Sequence, residues 1–253
     1  MTFLRSLLAA AALAGTSAIA FAAAAAPAPV KNIVLVHGAF ADGSGWKDVA
    51  GILQKDGYHV SVVQNPVTSI ADDVAATKRI LDQQDGPAVL VGHSYGGAVI
   101  TEAGNDPKVA SLVYVAAFAP DEGETLLGLI KGKPGKAMSI GPVGGGFLAV
   151  DPAKFHDDFA ADLSADRARF MAISQVPEAA SIGDTTISTP AWKTKPSFAI
   201  VATEDRMINP DSERDMYKRA GSSVTQVKAS HAVYVSQPKA VAKVIEEAAR
   251  AGK

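Results

Sequence analysis

The sequence contains no cysteine among its 253 residues. The fold therefore uses no disulfide, and the N-terminal segment has no thiol that could carry a lipid. Charge of either sign is not in excess, because 24 basic and 26 acidic side chains give a formal net charge of −2. Neither sign forms a long run, so nothing indicates a nucleic-acid partner. Stability must come from packing, and the 48% of hydrophobic residues is enough for one substantial core.

Motifs for metals and nucleotides are missing as well. His156-Asp157-Asp158 is an acidic stretch without a spaced histidine pair, and we interpret it as a solvated helix face rather than a metal site. The glycine-rich stretch 141–146 follows no predicted strand and lacks the Lys and Ser/Thr of a P-loop. We therefore expect a protein without a metal or a cofactor.

Residues 1–26 hold a single charged side chain, Arg5, followed by a stretch rich in alanine and leucine. This pattern predicts a secretory signal peptide that is cleaved after a small residue. Alanine is only weakly apolar, and no second apolar run of about 18 residues follows, so we do not expect a membrane anchor to remain. The chain from 27 to 253 is predicted to be a single domain that is exported, either to the periplasm or to the medium.

Six short apolar segments recur along this domain, and stretches with helical periodicity separate most of them. The segments are 32–36, 58–63, 88–91, 111–116, 198–202 and 224–227. Continuous apolar runs of this length are typical of strands that are buried on both faces. The alternation predicts an α/β fold with a mostly parallel sheet of about six strands flanked by helices.

The alternation stops at about residues 120–192, a stretch that is too long for a connecting loop and has no convincing buried strand. Asp151-Pro152 predicts the start of one helix, and Ser164 lies near the start of a second. The apolar side of this insertion is expected to comprise Phe155, Phe159, Leu163, Phe170, Met171 and Ile173. We interpret the insertion as a helical cap over the active edge of the sheet.

The clearest chemical motif is Gly92-His93-Ser94-Tyr95-Gly96, which lies between the third predicted strand and a helical stretch. A G-x-S-x-G sequence in this context predicts a nucleophile elbow. The turn is so sharp that the positions two before and two after the serine must be nearly bare, and it lifts the hydroxyl clear of the sheet. The motif therefore predicts Ser94 as the nucleophile.

A serine hydroxyl needs a base to take its proton, and with this elbow the partners follow in the order Ser, acid, His. Asp205 follows the fifth predicted strand and His231 follows the sixth, so both belong at the C-terminal edge where active sites of parallel sheets form. Glu204, Asp211 and Asp121 are alternative acids. Asp121 is the main rival because it also follows a strand, but order and spacing favour Asp205.

The oxyanion of an acyl-transfer reaction needs two donors. The N–H of Tyr95, directly after the nucleophile, and that of Ala39, in the loop after the first strand, are the predicted pair. His37 is expected to fix this loop rather than to transfer a proton. We interpret the remaining histidines as structural: His59, His93 and His156.

A resemblance to a known family rests on several short motifs together. They are His37-Gly38-Ala39 with Gly45-Trp46, the elbow at 92–97, Thr203-Glu204-Asp205, and the late His231. In these motifs the chain resembles the methylesterase and hydroxynitrile lyase branch of the α/β-hydrolases, and also small exported bacterial α/β hydrolases. The likeness covers essentially the whole chain after the signal peptide and is weakest in the cap. It implies an α/β-hydrolase fold, a Ser94, Asp205 and His231 triad, and oxyanion donors at Ala39 and Tyr95.

Two positions favour ester hydrolysis over lyase chemistry. Lyases of that branch have a threonine where this chain has Gly38 and a lysine where it has Ala232, and both groups handle the cyanohydrin. The expected activity is cleavage of small or medium carboxylic esters through an acyl-enzyme on Ser94. Two alternatives stay open: cofactor-free lyase or haloperoxidase chemistry on the same triad, and a small-molecule binding protein without turnover.

Overall fold

A computed structural model of the protein describes residues 30–252. The predicted signal peptide lies outside the described residues. Within them the strands are β1 (Asn32–Val36), β2 (His59–Val63), β3 (Ala88–His93), β4 (Val109–Val115), β5 (Ile140–Gly144), β6 (Phe147–Val150), β7 (Glu178–Ala179), β8 (Ser197–Ala202) and β9 (Ser223–Val227).

Six of these strands form one sheet in the order β2-β1-β3-β4-β8-β9, and every neighbouring pair in it is parallel. The predicted parallel sheet is thus confirmed. β1 and β3 are buried along their whole length, whereas the edge strands β2 and β9 are partly exposed. The register aligns the C-terminal ends of β1, β3 and β4, and those of β8 and β9, so the loops that follow them meet at one edge.

Helices cover both faces of the sheet. They are α1 (Lys47–Lys55), α2 (Ile70–Asp82), α3 (Gly96–Ala103), α4 (Leu126–Gly132), α5 (Phe155–Phe159), α6 (Ala165–Ser174), α7 (Pro210–Arg219), α8 (Val233–Ser236) and α9 (Pro238–Ala251). α1 packs against α9, and α2 packs against α3. The apolar stripe of α9 is typical of a helix that covers a sheet, because the side chains at i, i+3, i+4 and i+7 are buried together: Val241, Val244, Ile245 and Ala248.

The insertion between β4 and β8 differs in part from its prediction. The second helix is α6, whose N-cap Ser164 accepts a hydrogen bond from the N–H of Arg167 at 3.3 Å. The first of the two predicted helices is α5, which begins at Phe155 and not at Asp151-Pro152, because Asp151 accepts from the N–H of Ala153 at 2.9 Å and forms a turn there. α4, earlier in the insertion, was not predicted. β5, β6 and β7 form an antiparallel sheet that was not predicted, since β5 is largely exposed and contains glycine and proline instead of an apolar alternation.

The apolar side of the insertion was only partly predicted. Phe155 and Phe159 are fully buried, but Phe170 and Ile173 are 54% and 75% exposed, so their assignment to the apolar side was wrong. The reason is that α6 turns the side chains of Ala168, Met171 and Ala172 inward and leaves these two on the opposite face.

Backbone hydrogen bonds hold the insertion over the C-terminal edge of the sheet. The N–H of Phe40, after β1, donates to Val176 O at 3.0 Å, and the N–H of Ala179 donates to Val67 O at 3.0 Å. The N–H of Ala232, after β9, donates to Phe159 O at 3.0 Å. The insertion therefore contacts the loops that carry the candidate site.

Candidate active site

Ser94 lies in the turn between β3 and α3, with a φ of 54°. A residue with a side chain rarely adopts this left-handed conformation, and such strain is typical of a nucleophile elbow. The turn leaves no space at its flanks, because a Cβ on Gly92 would lie 2.5 Å from Gly96 O and one on Gly96 would lie 2.8 Å from His37 O. Glycine is required at both positions for the steric reason that the motif predicted.

Asp205 and His231 meet at the same edge. The Nδ1 atom of His231 is 2.6 Å from Oδ2 of Asp205, and both side chains are buried. The other carboxylate oxygen, Oδ1, accepts from the N–H groups of Met207 at 2.7 Å and Ile208 at 3.0 Å. A carboxylate can only accept, so Nδ1 carries the ring proton and Nε2 remains an acceptor. This is the tautomer that a general base for a serine hydroxyl requires.

Two aromatic rings fix the position of His231. His93 Nε2 donates to His231 O at 3.0 Å, and the two rings lie with their centroids 4.7 Å apart. Phe159 of α5 contacts the imidazole edge-on at 4.8 Å. Burial lowers the pKa of His93 well below its usual value, so this ring stays neutral. His93 thus has the structural role expected of it, whereas the contact from Phe159 depends on the fold of the insertion.

The three rival acids are engaged elsewhere. Asp121 pairs with Lys193 at 2.7 Å, Asp211 pairs with Arg214 at 2.6 Å, and Glu204 lies 3.6 Å from Lys228. None of the three hydrogen-bonds to His231 among the described residues. The geometry therefore brings Asp205, and not Asp121, to the imidazole.

The loop after β1 presents a backbone donor beside the elbow. Within residues 30–252, no acceptor takes the N–H of Ala39 or that of Tyr95, although both residues are almost fully buried. His37 holds this loop: its Nε2 accepts from the N–H of Asn65 at 2.9 Å, and its Nδ1 donates to Gly38 O at 2.8 Å. Burial lowers the pKa of His37, which keeps it neutral in this role. The two free N–H groups are suited to bind an oxyanion.

Sequence reasoning missed a buried anchor behind Tyr95. The hydroxyl of Tyr95 donates to Oδ2 of Asp73 at 2.5 Å, and Oδ1 of Asp73 accepts from the N–H of Val67 at 2.9 Å. Glu178 lies near this pair, and burial together with the charge of Asp73 raises its pKa to about 7. Asp73 is in the first turn of α2, where an acidic residue is usually explained by the helix dipole, so the sequence carried no signal for this contact.

The described part of the chain offers no group of three or more His, Cys, Asp or Glu side chains with the geometry of a metal site. Among its helices, none has the length and the apolar character needed to cross a membrane.

Comparisons with known proteins show which family and which folds the chain resembles. The model of the alpha/beta hydrolase family matches residues 33–244. A carbendazim-hydrolysing esterase from Nocardioides sp. is 38% identical over 114 residues, a match that spans 39% of this chain and 47% of the relative. A pyrethroid hydrolase from Sphingobium wenxiniae is 28% identical, over 88% of this chain and 89% of its own.

A solved structure extends the likeness to the fold. The crystal structure of a pyrethroid hydrolase from Sphingobium faniae is 26% identical and superposes with a TM-score of 0.76, covering 88% of this chain and 98% of that one.

Proposed function

Since the chain belongs to the α/β hydrolase family, we propose that it is a carboxylic ester hydrolase that works through an acyl-enzyme on Ser94. One observation carries the proposal: a buried His231, with Nδ1 2.6 Å from Asp205, packs against His93 of a strained serine elbow with the ring centroids 4.7 Å apart. This combination supplies a nucleophile, a base and the group that orients the base.

The proposed mechanism transfers the acyl group twice, first from the ester to Ser94 and then from Ser94 to water. His231 Nε2 takes the proton of Ser94 as Oγ attacks the acyl carbonyl, and the N–H groups of Ala39 and Tyr95 bind the oxyanion. The imidazolium, stabilised by Asp205, then protonates the departing alcohol. Water activated by the same imidazole cleaves the acyl-enzyme and regenerates the hydroxyl.

Two contacts support hydrolysis over cyanohydrin cleavage. A Cβ on Gly38 would lie 2.7 Å from the Cβ of Ser94, so this backbone has no room there for a threonine hydroxyl. Ala232, which occupies the position of the lyase lysine, is fully buried and donates its N–H to Phe159 O. The site thus lacks both groups that would handle a hydroxyl and a departing cyanide.

Hydrolysis of a short p-nitrophenyl ester by wild type and by Ser94→Ala tests the proposal. We expect turnover that the variant abolishes. Ser111→Ala is a matched control, because Ser111 is also buried but its hydroxyl bonds only to Ala248 O at 3.1 Å, near the other end of the sheet. Equal turnover by wild type and Ser94→Ala would refute the proposal, and loss of turnover in both variants would indicate a folding defect instead.

The alternatives differ from the proposal in measurable ways. A binding protein without turnover would label poorly with a fluorophosphonate, whereas a hydrolase should label at Ser94 and lose most of the labelling in His231→Ala. Cyanohydrin cleavage and peracid formation, assayed on the same preparation, detect lyase and haloperoxidase chemistry.

The proposed substrates are esters with a small or medium apolar acyl group. Phe159 contacts His231 and stacks on Phe155 with ring centroids 4.7 Å apart, so the base has apolar surroundings, which favour an apolar acyl group. A panel of p-nitrophenyl esters of increasing acyl length tests this. Carbendazim and a pyrethroid belong in the same panel, because relatives of the chain are named for hydrolysing them.

A further inference from the structure

Glu213 is a fully buried carboxyl group on α7, and the mechanism above does not use it. Its Oε2 accepts a hydrogen bond from the N–H of Ala202 at 3.2 Å. Its Oε1 has no donor among the described residues. Ala202 links Glu213 to the proposed triad acid, because its N–H donates to Glu213 and its O accepts the N–H of Asp205 at 3.1 Å. Glu213 is therefore buried at the same turn as Asp205, near enough for the charge of Asp205 to raise its pKa.

Within the described part of the chain, no cation forms an ion pair with Glu213, and Arg214 lowers its pKa less than burial and Asp205 raise it. Arg214, the next residue, points outward and donates to Asp211 at 2.6 Å and to Gln226 at 2.9 Å. The hydroxyl of Tyr217, one turn further along α7, accepts from the N–H of Ala117 and donates to the O of Ala117, each at 2.8 Å. His231 faces the other side of Asp205. An ionised Glu213 would thus be a buried and unpaired charge, which is very costly.

A hydrogen bond between two carboxyl groups requires one proton, because two carboxylates have no donor. The donors around the pair decide where that proton lies. Asp205 accepts three hydrogen bonds, from Met207, Ile208 and His231, whereas residues 30–252 supply Glu213 with one, from the N–H of Ala202. Donors stabilise the charged form, so the negative charge belongs on Asp205 and the proton on Glu213. Burial and the charge of Asp205 both raise the pKa of Glu213 well above its usual range, in agreement with this.

We propose that Glu213 is a positioning residue that stays protonated at neutral pH and donates a hydrogen bond to the Asp205 carboxylate. The donation keeps Asp205 ionised, fixes its rotation, and so aims Oδ2 at Nδ1 of His231. The effect on turnover rests on the proposed function, in which Asp205 and His231 activate Ser94. The protonation of Glu213 does not rest on it.

Two variants separate this role from simple packing. Glu213→Gln keeps the shape, an acceptor for Ala202 and a donor for Asp205, so it should retain kcat within about twofold and leave the acid limb of the kcat/KM profile where it is. Glu213→Leu removes the donor. We expect kcat to fall about tenfold with KM nearly unchanged, an effect of the size of one hydrogen bond to a charged group. The acid limb should move to higher pH, because an Asp205 carboxylate that has lost a donor attracts the imidazolium more strongly.

Tyr217→Phe is the matched control on α7, since it removes another buried hydrogen bond. It should lower the melting temperature and leave the acid limb in place. An infrared difference spectrum between wild type and Glu213→Gln measures protonation directly, without turnover and without the leucine variant. We expect the wild type to show the carbonyl band of a protonated carboxylic acid that the glutamine variant lacks.

The absence of that band would overturn the proposal, as would a shift of the acid limb to lower pH in Glu213→Gln, because such a shift means that the substitution removed a negative charge beside Asp205. The outcome is separable from that of the proposed function. Turnover that survives in Ser94→Ala refutes the esterase mechanism but leaves the infrared band of Glu213 as it was.

Discussion

Asp205→Asn tests the site directly, because it changes the charge and the donors of one buried group and almost nothing of its shape. The backbone N–H groups of Met207 and Ile208 point at Oδ1 from 2.7 and 3.0 Å, and both need an acceptor there. The new amide must therefore keep its carbonyl oxygen at this position. Its NH₂ group is then turned toward Nδ1 of His231.

This rotation forces the wrong tautomer on the imidazole. An amide NH₂ can only donate, so Nδ1 of His231 has to accept and the ring proton moves to Nε2. A protonated Nε2 cannot take the proton of Ser94. In the serine protease triad the same substitution lowers kcat about 10⁴-fold, which corresponds to about 5.5 kcal/mol of transition-state stabilisation. We expect a loss of this order for Asp205→Asn.

The assay is kcat for a short p-nitrophenyl ester, with thermal unfolding of each variant to exclude global destabilisation. Asp121→Asn is the control, because Asp121 also follows a sheet strand but pairs with Lys193 on the surface. It should keep turnover within about twofold and a melting temperature close to that of wild type. Loss of turnover in Asp121→Asn alone would show that Asp205 is not the triad acid.

Three further predictions concern the oxyanion loop, the buried carboxyl groups and the N-terminus. Gly38→Ala adds a Cβ that would lie 2.7 Å from the Cβ of Ser94, so the backbone must shift. This shift should lower the free energy of unfolding in urea by about 1–3 kcal/mol. It should also lower kcat, with a smaller change in KM. Burial and the charge of Asp73 raise the pKa of Glu178 from 4.5 to about 7. Between these pH values the folded state binds a proton that the unfolded chain has lost, so the contribution of Glu178 to the free energy of unfolding falls as pH rises from about 4.5 to 7. Glu178→Gln should therefore be more stable than wild type by about 1–3 kcal/mol near pH 8 and equal to it near pH 4, and a difference that is constant with pH would contradict this. If residues 1–26 are a signal peptide, exported protein should begin after them by N-terminal sequencing, and Arg5→Glu should leave more full-length precursor in the cytoplasm.

The sequence by itself determined the sheet and the elbow. Strands that are buried on both faces must be short and continuously apolar, so their positions can be predicted without knowledge of their neighbours. The elbow is partly local in the same way, because a Cβ on Gly92 would lie 2.5 Å from Gly96 O within the same turn, whereas Gly96 is crowded by His37 O, a contact that the fold supplies. The order of Ser94, Asp205 and His231 followed from their places after the third, fifth and sixth predicted strands.

Only the tertiary structure decided the contacts that span the chain. Order and spacing favoured Asp205 over Asp121 without excluding Asp121, and the structure brings Asp205 to His231 while Asp121 pairs with Lys193. Asp73 and Glu213 are acidic residues in the first turns of helices, a position typical of the surface, yet both are fully buried. Their burial depends on what packs above them, a property of distant segments that local patterns do not carry. The nucleophile was therefore predictable from its own turn, whereas the groups that position its partners became visible only once the fold had brought them together.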